Sequence, residues 1–246
     1  RPTFNIKKFG QKIWLDNLSR ELLNSGALAK FIMEDGIAGV TSNPTIFHKA
    51  ISSDKNYQAD LQKLKLENLT LEERYEALVI PDIIQACDIF TNLYNSTNGE
   101  DGYVSIEVSP ELAYDKENTI IHAKRLWKKI NRPNLLIKIP ATKEGIAAFE
   151  ELTSLGISVN ITLLFSLEQV LDTWQAYIQG LRKRHQQKLP LNHIKAVASF
   201  FLSRVDTAVD NRLPKHLQGK TAINLAKTAY LIYNEIFKDR KSTRLN

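Results

Sequence analysis

Leu135-Leu136-Ile137-Lys138-Ile139-Pro140 (LLIKIP) is the stretch that decides the fold. Successive side chains of a strand point to opposite faces. Leu135, Ile137 and Ile139 therefore share one face, while Leu136, Lys138 and Pro140 share the other. In a parallel sheet covered outside by helices, the all-apolar face belongs to the helices and the lysine points inward. The strand runs are read as Lys12–Asp16 (KIWLD), Gly39–Asn43 (GVTSN), Tyr103–Val108 (YVSIEV), Leu135–Ile139 (LLIKI), Ser158–Leu163 (SVNITL) and Ala196–Leu202 (AVASFFL). The third sets Val104, Ile106 and Val108 opposite Ser105, Glu107 and Ser109. The fifth sets Ile157, Val159 and Ile161 opposite Ser158, Asn160 and Thr162. The second aims Thr41 and Asn43 together, the first aims Asp16, and the sixth aims Ser199. These polar residues sit toward the C-terminal ends of their strands, where barrel enzymes build active sites.

Helical patterns separate the runs. Ser19 to Asp35 follows the first. Thr70 to Tyr94 opens with a capping box of Thr70 and Glu73, which satisfies amide groups otherwise left unpaired. Leu167–Lys183 is announced by Ser166 and Gln169, and Gly219–Phe237 is the last helix read. The stretch from Phe47 to Asn98 is longer than one crossover needs, so extra helices are expected there. Short strands alternating with longer helices predict an α/β fold of the (β/α)8-barrel kind. The 246 residues, 43% hydrophobic, suffice for one core and read as a single domain. A closed barrel needs eight strands and typically about 250 residues, yet only six runs are found. Lys238 to Asn246 (KDRKSTRLN) shows no apolar alternation, and Lys241–Asn246 reads as non-native sequence. The expectation is a barrel truncated after its sixth βα unit. Its first and sixth strand edges would be unpaired, which invites aggregation. Such a chain should be poorly soluble and weakly active or inactive.

Composition narrows the function. One cysteine, Cys87, allows no internal disulfide and fits a reducing cytoplasm. No uncharged apolar stretch is long enough for a membrane span. Arg1 to Gly10 lacks the pattern of a secretory signal. The net charge of +6 suits nucleic acid or anionic small molecules equally. The densest basic run, Arg182 to Lys188, has no interleaved aromatics and reads as a solvated helix end, so no nucleic-acid partner is expected. The five histidines make no ligand spacing, and no glycine loop cradles a phosphate. Neither a metal nor a nucleotide cofactor is expected.

Lys138 is the sharpest candidate. Taking an ammonium out of water favours the neutral amine, the form that attacks a carbonyl to give a Schiff base. Its alternative is a strand-edge lysine reaching solvent. Glu107 is read as a proton shuttle or as a buried ion-pair partner of Lys138, and both can hold together. Asp16 is a site residue or an N-cap for the segment that follows. Asn160 and Thr162 bind ligand or barrel backbone. Arg204, just past the sixth strand, holds a phosphate bidentately or makes a surface salt bridge.

Taken together, IWLDNLSRELL, GVTSNPTIF, VSIEVSP, LLIKIPATKEGI, SVNITLLFSLEQ and VASFFLSRVD resemble the strand motifs of the transaldolase family, in order, from about Lys12 to Phe237. The resemblance implies that Lys138 is the Schiff-base lysine. It implies that Glu107 works with a water as acid and base, and that Thr162 helps hold that water. By the same likeness Asp16 takes the proton of the substrate C4 hydroxyl. Asn43 and Asn160 bind donor hydroxyls and the imine region, and Ser199, Phe201 and Arg204 contact the sugar phosphate. The implied reaction moves a dihydroxyacetone unit between sugar phosphates without cofactor, in the cytoplasm, as a monomer or homodimer when complete. The spelling VTSNPTIF resembles a subgroup that includes fusions with a phosphoglucose isomerase. The family continues past Phe237 into further strand motifs and a second cationic phosphate contact, from which this chain departs. A related Schiff-base sugar-phosphate aldolase, cleaving without transfer, and an inactive barrel fragment are the competing readings.

Overall fold

A computed structural model describes residues 2–237. Lys238 to Asn246, where the last helix was expected to meet no seventh strand, lie outside the described residues. Six strands form one sheet: β1 Ile13–Asp16, β2 Ile37–Thr41, β3 Tyr103–Glu107, β4 Leu135–Pro140, β5 Val159–Leu164 and β6 Ala196–Phe200. All neighbours are parallel and the order is sequential, β1-β2-β3-β4-β5-β6. The helices are α1 Pro2–Asn5, α2 Arg20–Asn24, α3 Ala27–Lys30, α4 Pro44–Ser53, α5 Gln58–Lys65, α6 Leu71–Ser96, α7 Lys116–Ile130, α8 Lys143–Ser154, α9 Leu167–Gln186, α10 Ser203–Val209 and α11 Thr221–Phe237. This is a partial barrel of βα units, as the alternation predicts. Among the described residues no strand pairs with the outer edge of β1 or of β6.

The sheet curls. Asn160 on β5 donates to Ser105 Oγ on β3 at 3.1 Å, across β4. Side chains two strands apart meet only over a concave face. Lower in the lumen, Tyr94, Tyr103 and Leu136 cluster with Trp14 of β1 and Val197 of β6. Trp14 lies against Gly39, where a Cβ would come within 2.6 Å of the indole, so glycine is what lets the ring fill the lumen. At the bottom rim Lys12 Nζ sits 2.6 Å from Asp101, and Lys195 Nζ 2.5 Å from Glu100. The entrances of β1 and β6 are thereby tied to the turn ahead of β3. The other face carries the main core. Val104, Ile106, Leu135, Ile137, Ile139, Val159 and Ile161 are all at most 2% exposed there.

Local signals explain most elements. Thr70 accepts from the Glu73 amide and Glu73 answers to the Thr70 amide, so the expected capping box opens α6. Ser166 caps α9 by accepting from the Gln169 amide. The long interval ahead of β3 holds α4, α5 and α6, as expected. The single helix expected from Ser19 to Asp35 is instead broken. Gly26 adopts φ 74° between α2 and α3, a left-handed conformation that glycine takes without steric cost and that ends a helix. The second strand run also needs correction. β2 occupies Ile37–Thr41, and Asn43 lies outside it as the N-cap of α4. The strand is fixed by buried Ile37 and Ala38, while Pro44 at the first helical turn supports the new start.

One ionic cluster braces α6 against α7. Glu76 is 2% exposed and meets His122 Nε2 at 3.1 Å, Arg125 at 2.5 Å and Lys129 at 3.3 Å. Glu72 and His122 complete a group with metal-like spacing. Two cations already neutralise Glu76, so the donor set fits an ion-pair network and not a bound cation. Burial works to raise the Glu76 carboxyl, but hydrogen bonds from His122 and Arg125 outweigh it and hold it at about 2. The folded value therefore lies below the ordinary 4.5. Its stabilising contribution is complete above pH 4.5 and is lost as pH falls toward 2. Glu76→Gln should cost about 1–3 kcal/mol at neutral pH. It should also flatten the loss of the urea midpoint over that acid window. Parallel midpoint-against-pH curves for the two proteins would remove Glu76 as the cause.

Candidate active site

The register of the sheet assembles the site. Glu107 on β3 pairs with Lys138 on β4, and Lys138 pairs with Asn160 on β5. Paired residues of parallel strands face the same way, so all three enter the lumen together. Lys138 is 6% exposed, which answers the strand-edge alternative. Its Nζ lies 3.4 Å from Glu107 Oε2 and donates to the Ser42 carbonyl at 3.4 Å. These are the longer end of polar contacts, and they leave the amine room to turn toward a ligand. Glu107 is thus an ion-pair partner by geometry.

Burial pushes the Glu107 carboxyl above its ordinary value, the Lys138 charge pulls it back, and the Asp16 charge raises it again. The net effect is a carboxyl that holds its proton more firmly than an ordinary glutamate. Asp16 closes β1, is exposed, and pairs in register with Thr41. It does not cap the next helix. Ser19 does, accepting from the Leu22 amide at 3.1 Å. That leaves the Asp16 carboxylate for the lumen.

Asn160 has a defined orientation. Its Oδ1 accepts from Ser199 Oγ at 2.8 Å, and its Nδ2 donates to Ser105 Oγ at 3.1 Å. So β6, β5 and β3 join in one polar chain beside Lys138. The hydroxyls of Thr162 and Thr41 are buried without a hydrogen-bond partner. Buried polar groups are almost always paired, and two unpaired ones facing the lumen fit a polar ligand or water. Asn43 is divided. Its Oδ1 accepts from the Ile46 amide at 2.9 Å as a helix cap, which leaves its amide donors.

Phe201 and Arg204 stand at the mouth. The Arg204 guanidinium lies 4.7 Å from the centre of the Phe201 ring. Among the described residues Arg204 forms no ion pair, so the surface salt bridge is not found. Among the described residues neither Asn43 nor Arg204 hydrogen-bonds or ion-pairs with Lys138, whose polar partners are the Ser42 carbonyl and Glu107. A groove of about 870 Å³ opens between β6 and β1, lined by Trp14, Thr41, Asn160, Ser199, Trp174 and Tyr233 among others. It enters the lumen from the open side, although Lys138 and Glu107 do not line it.

Three neighbours of the site have no role that the sequence assigns, although Ser105 shares the inward face with Glu107. Ser105 holds Asn160, and the Ser42 carbonyl receives Lys138. Tyr75 on α6 carries no such signal. Burial raises its hydroxyl and the Glu107 charge raises it further, which places it within electrostatic reach of that carboxyl.

Comparison with known proteins follows the same residues. A family model described as Transaldolase/Fructose-6-phosphate aldolase matches residues 13–245. The transaldolase of Thiobacillus denitrificans is 52% identical over 250 residues, covering 99% of this chain and 70% of that relative. That of Neisseria gonorrhoeae is 50% identical over 233 residues, covering 95% of this chain and 66% of the relative. That of Thermobifida fusca is 43% identical over 251 residues, covering 99% and 68%. The chain spans about two thirds of the length of these relatives.

Proposed function

Because the chain belongs to the transaldolase and fructose-6-phosphate aldolase family, we propose that it moves a dihydroxyacetone unit from a ketose phosphate to an aldose phosphate through a Schiff base on Lys138. The observation that carries this reading is the pairing of buried Lys138 with Glu107 at 3.4 Å in a lumen that also holds Asn160. Sedoheptulose 7-phosphate and fructose 6-phosphate are the proposed donors.

The free amine of Lys138 attacks the C2 ketone and forms a carbinolamine. Glu107, whose carboxyl burial raises above its ordinary value, donates the proton that lets hydroxide leave as water. The protonated imine then draws electrons from the C3–C4 bond. Asp16 accepts the C4 hydroxyl proton, the bond breaks, and the aldose phosphate departs. Three carbons stay on Lys138 as an enamine. That enamine attacks the carbonyl of a second aldose phosphate, Asp16 returns the proton, and water releases the new ketose phosphate. Covalent retention divides one difficult step into two easier ones. Thr162, with a buried unpartnered hydroxyl, holds the water that Glu107 uses. Asn160, fixed by Ser199 and Ser105, contacts the imine region. Asn43, with its amide donors left over from capping, binds a donor hydroxyl. Ser199, Phe201 and Arg204 receive the phosphate end.

Transfer and cleavage differ in the fate of the enamine. Incubated with fructose 6-phosphate, the protein should release new ketose phosphate only when erythrose 4-phosphate is present, with little free dihydroxyacetone. Equal dihydroxyacetone release with and without the acceptor would make the protein a cleaving aldolase instead.

A further inference from the structure

β5 carries one residue more than its partner. From Ile161 to Leu164 it advances three positions while β6 advances two, from Ala198 to Phe200. At this β-bulge Leu163 sits at φ 63°. Leucine occupies that left-handed region only under constraint from its surroundings, and such bulges re-aim side chains. This one inverts the alternation. Thr162 shares the lumen parity of Asn160, and unbroken alternation would send Leu164 the same way. Instead Leu164 is fully buried in the outer core, and Phe165 is delivered to the mouth. There its ring lies 5.5 Å from that of Phe201, the ring against which the Arg204 guanidinium rests. The backbone of Phe165 is pinned as well. Its amide donates to Gln169 Oε1 at 3.0 Å, and the Gln169 side chain donates to the Ala141 carbonyl at 3.0 Å.

The row of contacts therefore runs Phe165, Phe201, Arg204, with the two rings tilted by 38° and the guanidinium carbon over the Phe201 ring. Arg204 is exposed and has no carboxylate partner among the described residues, so the ring beneath it is what orients it. A guanidinium stacked by its face keeps its N–H edge free for two oxygens of one phosphate. We propose that Phe165 is a positioning residue, which holds the Phe201 ring and through it aims the Arg204 guanidinium at the substrate phosphate. The proposal rests on Arg204 being the phosphate contact.

Two measurements separate the proposal from that premise. The first is the side-chain 15N spectrum of the whole chain, in which ring current from Phe201 should shift the Arg204 Nε–Hε signal upfield. Phe165→Ala should return it toward the position of a free arginine, and Phe165→Tyr should leave it in place. An unmoved signal in Phe165→Ala overturns the proposal, whether or not the protein turns over substrate. The second is the sugar concentration that gives half-maximal borohydride labelling of Lys138. Phe165→Ala should raise it roughly 5–10-fold for fructose 6-phosphate and by no more than about twofold for dihydroxyacetone, with Phe165→Tyr close to the parent. Added to Arg204→Ala, the same change should have no further effect. Equal rises for both sugars would mean that Phe165 only stabilises the fold, and the proposal falls. If Arg204→Ala itself leaves the preference for the phosphorylated sugar intact, the phosphate premise fails while the spectrum still reports the positioning.

Discussion

Borohydride added together with fructose 6-phosphate should label Lys138 and no other lysine, and Lys138→Ala should abolish both the label and turnover. The expected loss of rate is on the order of 10⁴-fold or more, as for removal of other covalent nucleophiles. Selectivity follows from burial. Among the described residues Lys138 is the only buried lysine, and it stands in the lumen beside Glu107 and in register with Asn160. The adduct also has a recipient geometry, because Glu107 stands 3.4 Å from the attacking nitrogen. Lys138→Met, which keeps most of the volume, should stay folded and remain unlabelled. Peptide mapping by mass spectrometry locates the reduced adduct. A label that persists in Lys138→Ala would assign the chemistry to another amine.

The second large effect is a split between the two carboxylates. Glu107→Gln should slow formation of the imine, and Asp16→Asn should slow carbon–carbon cleavage once the imine exists, each by on the order of 10²–10⁴. Their surroundings differ in the required sense. Glu107 is raised first by burial and further by the Asp16 charge, so it can serve as a proton donor. Asp16 is exposed at the strand end and suits a base. Rapid mixing followed by borohydride quenching measures imine formation, and release of the aldose phosphate measures cleavage. The same step blocked in both variants would refute the division of labour.

The inward parity of the strands was legible because it needs only local alternation. Lys138 between Leu-Ile and Ile-Pro, and Glu107 in VSIEVSP, could each be assigned a face without knowing the neighbours. What alternation cannot carry is a change of phase. Leu163 is neither glycine nor asparagine, and nothing in its identity announces φ 63°, so the passage of Phe165 to the mouth was invisible. The placement of β2 failed for a different reason. Gly39 contributes no side chain to a pattern, and Asn43 reads equally as strand end or helix cap until Pro44 and the Ile46 amide decide it. Asp16 was ambiguous until Ser19 proved to be the cap. The Gly26 break could have been read from its residue type. The brace of Glu76 with His122 and Arg125 could not, since its partners lie 46 and 49 positions away.

The crossover that carries α4, α5 and α6 has an entropic side. From Thr41 to Tyr103 it covers 62 positions (103 − 41), against 28 from Glu107 to Leu135 (135 − 107) and 19 from Pro140 to Val159 (159 − 140). Closing a loop becomes costlier only with the logarithm of its length, about 0.6 kcal/mol for each doubling. The pairing of β2 with β3 therefore gives up little for a crossover more than twice as long. Length can accumulate at that point while the β3–β4 register, on which the contact of Lys138 with Glu107 depends, stays untouched. The long interval is thus the part of the chain most free to vary in size, and the short ones on either side of Lys138 are the least.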